Sequence, residues 1–350
     1  MKVLYAIQAT GNGHISRANE IIPILSEKCD LDILISGTEA SLDTEYFVKY
    51  RRKGLSFVFG KKGGIDFLAT LQKLNSKKFL DEIKNFPVEQ YDLVINDFEP
   101  ISAWAAKINK VPCVAMSHQF AVLHKNAPRP ETFDPMAWLV LKHYAPCKTG
   151  VGFHFKAFDT YIHTPVIRHA IRNAYIRNMG HITVYLPAYS EKKLLKVFSA
   201  FKNTEWHIFS PQCKSSYGAG NCWVRPVNEF DFTGSFVNCE GIITGGGFET
   251  PAEALFMGKK LLVIPMKQQY EQQCNAAALA SLGVPVIKSL KKKHFEKISS
   301  WLENDASLQL DFPDKTAEII DSILGQYALP AAKQKFIELH KETKPVLTEF

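Results

Sequence analysis

Two glycine-containing loops hold the residues of this sequence that are best suited to chemistry. The first follows an apolar run at the N-terminus and reads Gly11-Asn12-Gly13-His14, with Arg17 three residues further on. Glycines allow the backbone to approach a ligand closely, and the helix expected here would present its N-terminus to an anion. A histidine has an unperturbed pKa of about 6.5, which suits a general base. We therefore interpret His14 as a candidate base at the edge of a ligand site.

The second loop contains three consecutive glycines at 245–247, between an apolar run and a predicted helix. Their backbone N–H groups could cradle a phosphate. The residues that follow have an alternative interpretation, because Thr250, Pro251 and Glu253 fit the N-cap, N1 and N3 positions of a capping box. A helix cap does not require three glycines, so a ligand-binding role of the loop is favoured.

Two carboxylates follow a third apolar run. Asp97 and Glu99 lie within Ile95-Asn-Asp-Phe-Glu-Pro100, directly after a predicted strand. Ligands of open α/β sheets bind beyond the carboxyl ends of the strands, so both acids should share that edge with His14. Asp97 is the candidate partner that orients His14, and Glu99 is an alternative base. His118 follows the next strand and could reach the same cleft, although a hydrogen-bonded structural histidine is the simpler interpretation.

Strand-like apolar runs alternate with amphipathic helix-like stretches in both halves of the chain, as in Val3–Ile7, Ala18–Leu25 and Leu31–Ile35. This alternation predicts parallel sheets with right-handed crossovers. The pattern restarts at His181, after an aperiodic, proline-containing segment. We expect an α/β protein of two doubly wound domains that face a cleft. Their bounds are residues 1–164, a linker at 165–180, residues 181–329, and a C-terminal helix in 330–350 that packs back across the junction.

Length and composition exclude several classes of protein. A chain of 350 residues that is 46% hydrophobic and 22% charged is typical of a two-domain globular protein, not of a disordered or disulfide-rich one. The net charge of +7 favours anionic partners. The seven cysteines form no C-x-x-C pair, and no signal peptide or membrane-spanning run is recognisable, so we expect a cytoplasmic protein. No aromatic-interleaved basic motif indicates nucleic acid.

Two common nucleotide motifs do not fit the first loop. The dinucleotide fingerprint needs a glycine where Ser16 stands and an acidic residue where Ser36 stands. A P-loop needs Gly-Lys-Ser/Thr at a fixed spacing, which the sequence lacks. The acidic pair Asp30 and Asp32 precedes a strand, at the wrong edge of the sheet for a ligand.

The run from Arg225 to Gly283 resembles the donor-site region of GT-B glycosyltransferases. This type includes the peptidoglycan N-acetylglucosaminyltransferase and the UDP-glycosyltransferases. The resemblance is carried by the three glycines, by Glu253-Ala-Leu-Phe-Met-Gly258 and by Glu271-Gln272-Gln-Cys-Asn275. The loop from Gly11 to His14 resembles their N-terminal loop. The resemblance implies a GT-B fold of two Rossmann-like domains, with the acceptor on the N-terminal domain and a nucleotide sugar on the C-terminal domain.

The resemblance also implies roles for individual residues. The residues that would hold the diphosphate are Gly246, Gly247 and Thr250. At Gly245 the plant-type enzymes have a histidine that touches phosphate, so backbone N–H groups would replace it here. Glu253 would accept the ribose hydroxyls, and the segment 225–229 would lie against the base. The residues that would hold the sugar are Glu271, Gln272 and Asn275.

The expected reaction is inverting transfer from a UDP-sugar to a hydroxyl acceptor, which the sequence does not identify as lipid, glycan or small molecule. Retaining GT-B enzymes carry two glutamates separated by seven residues, whereas Met257 and Leu261 stand eight positions beyond Glu249 and Glu253. Glycines and a helix dipole can stabilise the leaving diphosphate, so neither a metal nor a cofactor is expected. A nucleotide-sugar hydrolase and a non-catalytic nucleotide-sugar-binding protein are the alternatives.

Contact with a membrane is a further possibility raised by the sequence. Basic clusters at 51–53 and 61–62 could combine with the apolar stretch Met136–Leu141 to dock the N-terminal domain on anionic lipid. Solvated basic faces are the simpler interpretation. The sequence gives no indication of the oligomeric state.

Overall fold

Two β-sheets organise the chain in the computed structural model, which describes residues 1–9, 11–37, 44–54, 77–267 and 269–328. Each sheet forms the centre of one α/β domain, with helices on both faces. The predicted fold class is confirmed.

The N-terminal sheet has seven strands in the described part of the chain, in the order β3-β2-β1-β4-β5-β6-β7. All its pairs are parallel. The strands are β1 (Lys2–Gln8), β2 (Asp30–Ser36), β3 (Tyr50–Arg52), β4 (Leu93–Asp97), β5 (Cys113–Ser117), β6 (Thr149–Phe153) and β7 (Ile162–His163). The helices are α1 (Asn12–Lys28), α2 (Lys77–Lys84), α3 (Pro100–Asn109), α4 (His118–Val122) and α5 (Pro135–Tyr144).

The C-terminal sheet follows a short linker helix, α6 (His169–Arg172), and has the order β10-β11-β9-β8-β12-β13. Only the β10–β11 pair is antiparallel among the described strands. The strands are β8 (Ile182–Tyr185), β9 (Trp206–Ser210), β10 (Tyr217–Ala219), β11 (Cys222–Pro226), β12 (Gly241–Thr244) and β13 (Lys260–Val263). The helices are α7 (Glu191–Phe198), α8 (Glu229–Asn238), α9 (Glu249–Phe256), α10 (Tyr270–Ser281), α11 (Phe295–Glu303) and α12 (Thr316–Ala328).

The central strands are apolar almost throughout because helices cover both faces of each sheet. In β1, all five residues from Val3 to Ile7 have no exposed surface. The strand order reverses between β1 and β4 in the first sheet and between β8 and β12 in the second. In open α/β sheets, ligands bind at such reversal points, beyond the carboxyl ends of the strands. Both glycine loops leave strands at these points, because they follow β1 and β12.

The two domains share apolar contacts as well as a cleft. One cluster of buried side chains joins α1 to α9 and α12, through residues such as Ile15, Ala252 and Ile320. Helix α12 also reaches the N-terminal domain directly, since Lys28 pairs with Asp321 and Thr149 lies 3.1 Å from the Tyr327 hydroxyl. The chain therefore crosses back within 316–328. The helix expected in 330–350 lies outside the described residues.

Other expectations concern surfaces. The basic pair at 61–62 also lies outside the described residues, whereas Arg51 and Arg52 belong to β3. Met136 and Leu139 are 50% and 45% exposed on α5. Among the described helices, none has the length and apolar character needed to cross a membrane.

Candidate active site

A cavity of about 270 Å³ lies between the two domains, and we call it the central cavity. It is lined from the N-terminal side by the first glycine loop with His14 and Arg17, and from the C-terminal side by Gly247 and the first turns of α9. Two more of its walls come from 227–229 and from Glu271 and Gln272 on α10. The two glycine loops predicted to carry chemistry therefore face each other across one space.

His14 and Asp97 form a hydrogen-bonded pair at this cavity. His14 Nδ1 lies 2.9 Å from Asp97 Oδ1, and the Asp97 side chain is fully buried. An ionised carboxylate only accepts hydrogen bonds, so Nδ1 carries the proton and Nε2 is left with a free electron pair. Burial lowers the pKa of His14, but the charge and hydrogen bond of Asp97 outweigh burial, so the net shift is upward. The pair has the arrangement of a general base and the carboxylate that orients it.

Arg17 connects this pair to the other domain. Its Nη2 donates to both carboxylate oxygens of Asp97, at 2.7 and 2.9 Å, and its Nη1 donates to Glu249 on α9. Arg17 is 2% exposed, so this charge is removed from water and depends on its two carboxylate partners. Gly13 lies beside the Glu249 carboxylate, and a Cβ there would lie 2.4 Å from Glu249 Oε2, so the Glu249 side chain would have to shift. A larger residue at position 13 would therefore disturb the ion pair between the domains.

The backbone conformation between Asp97 and Glu99 directs their two carboxylates to different partners. Phe98 has φ of 59°, a left-handed conformation that is rare for a residue other than glycine. The turn leaves Asp97 beside His14, behind the cavity wall, and directs Glu99 onto the N-terminus of α3, where its carboxylate accepts from the amides of Ile101 and Ser102 at 2.9 and 2.6 Å. Glu99 is fully buried and does not line the central cavity. The structure thus brings Asp97 to His14 and places Glu99 as a helix cap.

His118 spans the domain junction. Its Nδ1 lies 2.8 Å from the Phe153 carbonyl oxygen, its Nε2 lies 2.6 Å from Asn275 Oδ1, and its ring stacks on Phe248 at 3.8 Å. Burial and the neighbouring His154 lower its pKa to about 3. The ring borders the central cavity. These contacts agree with the structural interpretation of His118, because both ring nitrogens already face protein atoms.

The second glycine loop is held by α10. Gly246 N–H donates to Gln272 Oε1 at 3.1 Å, and Asn275 Nδ2 donates to the Gly246 carbonyl at 3.0 Å. A Cβ at Gly246 would lie 2.6 Å from the Gln272 backbone oxygen, whereas one at Gly247 would meet no atom within 4 Å. Gly246 is thus needed for close packing of the loop on α10, while Gly247 faces open space. Gln272 and Asn275, expected to hold a sugar, here hold the loop itself.

Glu253 is not part of a capping box. Helix α9 begins at Glu249 with Phe248 at its N-cap and no side-chain cap, so Thr250 lies within the first turn and also lines the central cavity. The Glu253 carboxylate instead accepts two hydrogen bonds from Arg168, at 2.6 and 2.8 Å. The capping alternative for Glu253 is therefore wrong. Glu253 also lines the central cavity, and each of its carboxylate oxygens retains a lone pair that can accept a further hydrogen bond.

Glu271 lines the central cavity, and so do Gln119 and Arg168, which the sequence patterns did not indicate. Gln119 Nε2 donates to Glu271 Oε2 at 3.1 Å and lies 3.3 Å from His14 Nε2. Burial raises the pKa of Glu271, although the nearby positive charges oppose this. Arg168 lies in the predicted linker, where a single arginine forms no recognisable motif. Gln119 directly follows His118, which the sequence favours as a structural histidine. Only their positions in the folded chain identify them.

Side chains that could bind a metal ion are not clustered in the part of the chain that the structure describes. Among the described residues, no three His, Cys, Asp or Glu side chains come together as a metal site requires. Asp32, one of the pair set aside earlier, bonds to Lys49 and to the Tyr91 hydroxyl, away from the cavity.

A comparison with known protein families gives a match for this sequence. Residues 1–304 match the model of a family described as glycosyl transferase family 1. No curated protein matches the sequence.

Three solved structures of similar fold are distant from this chain in sequence. Acinetobacter baumannii MurG is 15% identical with a TM-score of 0.53, and the alignment covers 98% of this chain and 99% of that one. The spinosyn forosaminyltransferase SpnP is 14% identical with a TM-score of 0.56, covering 94% and 100%. Phytolacca americana UGT2, solved with UDP-2-fluoroglucose and pterostilbene, is 11% identical with a TM-score of 0.54, covering 94% and 100%. At these identities the likeness supports the GT-B fold.

Proposed function

Because the chain belongs to glycosyl transferase family 1 and is a glycosyltransferase, we propose that it transfers a sugar with inversion from a UDP-sugar to a hydroxyl acceptor, without a metal. The observation that carries this proposal is the His14–Asp97 pair, 2.9 Å apart, facing a glycine loop and a helix N-terminus across the central cavity. A candidate base on one wall would deprotonate the acceptor, and a candidate anion site on the other wall would stabilise the leaving diphosphate.

The proposed step begins at the acceptor hydroxyl. His14 Nε2 takes its proton while Asp97 stabilises the imidazolium that forms. The acceptor oxygen then bonds to the anomeric carbon, and the bond from that carbon to the diphosphate breaks. The electron pair of the broken bond leaves with the diphosphate. Attack from the His14 side, opposite the glycine loop, inverts the configuration at the anomeric carbon.

The C-terminal wall has the groups that this donor requires. Gly247 faces open space, and the first amides of α9 have no acceptor within the helix, so they are available to the leaving diphosphate. Four carboxylates line the central cavity, at Glu229, Glu249, Glu253 and Glu271. Carboxylates accept hydrogen bonds from hydroxyls, which suits a ribose and a sugar ring. Glu253 is proposed for the ribose and Glu271 for the sugar, while the backbone at 227–229 lines the position of the base.

The test combines ligand binding with turnover. Melting temperatures are measured with a panel of nucleotides and nucleotide sugars, and UDP and its sugars should raise the melting temperature most. A ligand at 100 times its dissociation constant adds about 2.7 kcal/mol to the free energy of unfolding. Mixed alcohol acceptors should then give a product whose anomeric configuration is opposite to that of the donor, at an undiminished rate in EDTA. Release of free sugar at the same rate without acceptor indicates the hydrolase. UDP binding without any turnover indicates a binding protein.

The role of the base is tested in the same assay. His14→Ala should lower turnover by about 10² to 10⁴, the usual contribution of a general base, and leave UDP affinity nearly unchanged. The matched control is His169→Ala, an exposed histidine of the linker that lies outside the central cavity. Loss of UDP binding with His14→Ala would show that His14 contacts the donor phosphate instead.

A further inference from the structure

A second cavity of about 1040 Å³ adjoins the central cavity, and we call it the lateral cavity. The two meet at Phe98 and Gln119, which line both. From there the lateral cavity runs beside β5, lined by Ser117, Ala115 and Cys113 in turn. Strand β5 has five residues, and at about 3.3 Å each they span about 13 Å from the carboxyl edge of the sheet to its amino edge. The lateral cavity is therefore elongated. One end lies near His14 at the carboxyl edge of the sheet, and the other end lies at the amino edge.

The charge of the lateral cavity is opposite to that of the central cavity. Its described lining contains no Asp or Glu, but it contains Lys107, Lys110, Lys142 and Lys148. All four are exposed at the amino edge of the sheet, at the ends of α3 and α5 and just before β6. None of them forms an ion pair with a carboxylate in the part of the chain that the structure describes. Lys107 and Lys142 lie over the rings of Trp104 and Trp138, at 4.6 and 4.8 Å, which leaves their charges without a neutralising carboxylate. A cluster of positive charge thus lies at the end farthest from His14.

Between its two ends the lateral cavity is largely apolar. Phe120, Leu123 and Trp138 contribute to its walls. Two buried polar atoms on this wall, Trp138 Nε1 and Gln119 Oε1, have no hydrogen-bond partner among the described residues. Gln119 is 3% exposed, and a buried polar group without a partner is costly. Other atoms of both side chains line the cavity.

We propose that the lateral cavity binds the acceptor, and that the acceptor is an elongated amphiphile with a hydroxyl at one end and a carboxylate or phosphate at the other. The inference rests on the proposed function, since the hydroxyl must reach His14. Gln119 positions that hydroxyl, because its amide lies 3.3 Å from His14 Nε2 at the junction of the cavities. The apolar body lies along β5, and the lysines at the amino edge bind the anion.

The test uses the full chain with saturating UDP and three soluble probes. These are a medium-chain ω-hydroxyalkanoic acid, the diol of the same length, and a short hydroxy acid. The acid should bind at least about tenfold more tightly than the diol, because hydrogen bonds to charged groups are stronger than neutral ones. The short acid should bind poorly, since it cannot span from His14 to the lysines.

Matched variants locate the binding site. Lys110→Gln with Lys148→Gln should remove the preference for the acid, whereas Lys292→Gln with Lys293→Gln, which makes the same charge change in the other domain, should retain it. All variants should bind UDP as the wild type does. Mass spectrometry gives a second readout, because Cys113 and Cys147 line the far end with their sulfurs 3.5 Å apart. The acid should slow alkylation of these two cysteines and leave that of Cys29 unchanged.

Several results would overturn the inference. They are equal binding of acid and diol, a preference that survives in the Lys110 and Lys148 variant, an equal loss in the control variant, or unchanged alkylation. Saturable binding to anionic vesicles alone, independent of these lysines, would do so as well. The binding assay needs no turnover, so lysine-dependent binding without sugar transfer refutes the proposed function only. Transfer to neutral acceptors without any preference for the acid refutes this inference only.

Discussion

At the scale of single residues, the environment of each ionisable group decides its role. Asp97 and Glu99 are two residues apart and both buried, yet one orients a histidine and the other caps a helix. Burial raises the pKa of Asp97, but Arg17 and His14 outweigh it, so the carboxylate remains ionised. Burial raises the pKa of Glu99 despite the amides that it accepts from.

The pH dependence of the reaction follows from His14. Its pKa lies above the usual 6.5, and the ring acts as a base only when neutral, so activity should fall as pH decreases through that raised pKa. Asp97→Asn removes the attraction that raises the pKa and should move the acid limb of kcat/KM to lower pH. The plateau should fall by about 10² to 10⁴ because the ring loses its orientation. An acid limb that does not move would exclude His14 as the titrating base.

The role of Glu253 can be tested against its ion pair with Arg168. Glu253→Gln leaves the half-buried Arg168 without its main partner, so a lower melting temperature is expected whichever role is correct. The informative comparison is UDP against 2′-deoxy-UDP. Wild type should bind the deoxy analogue about tenfold less tightly, as expected for one lost bond to a charged group, and Glu253→Gln should hardly distinguish the two. Equal binding of both nucleotides by wild type would contradict the ribose role.

At the scale of elements, loop and helix packing explain the glycines better than backbone conformation does. None of Gly245, Gly246 and Gly247 has positive φ. Gly246 is fixed by contact with α10, and Gly247 is left open toward the central cavity. The same sequence motif therefore contains one glycine needed for packing and one available to a ligand.

These two glycines give a matched pair of variants. Gly246→Ala places a Cβ 2.6 Å from the Gln272 backbone oxygen and should lower stability by about 1–3 kcal/mol, as overpacking does. Gly247→Ala meets no protein atom and should leave the melting temperature unchanged while weakening UDP by obstructing the diphosphate. Calorimetry and UDP titration of both variants test this. Unchanged UDP affinity in Gly247→Ala would place the diphosphate elsewhere.

At the scale of the whole molecule, the domains are joined by polar contacts across the cleft. Arg17 pairs with Glu249, and Gln119 donates to Glu271. His118 stacks on Phe248 at 3.8 Å. Each contact joins a residue near His14 to one near the second glycine loop. The same side chains therefore join the two domains and surround the proposed base.

Breaking one contact should change the shape of the molecule. Glu249→Gln removes the charge that pairs with Arg17 across the cleft, so the unliganded protein should open and its radius of gyration should increase. Saturating UDP should restore closure, as ligands of hinged enzymes do. Scattering curves of wild type and variant, with and without UDP, test this, and Glu296→Gln on α11 is a control for the change of charge. Identical curves in all states would contradict a mobile cleft.

The alternation of strands and helices can be predicted from the sequence, because parallel strands covered on both faces are apolar throughout and the apolar residues of an amphipathic helix recur about once per turn. The sequence also indicated both glycine loops and His14 with Asp97, since loops after parallel strands meet at one edge of a sheet. Three features were decided by the tertiary structure alone: the Arg168–Glu253 pair, the bridge from Arg17 to Glu249, and the position of Gln119 between the two cavities. Their partners are separated by 85 and 232 residues in the two ion pairs, and no local pattern specifies such contacts. They form only when two separately patterned domains are brought face to face.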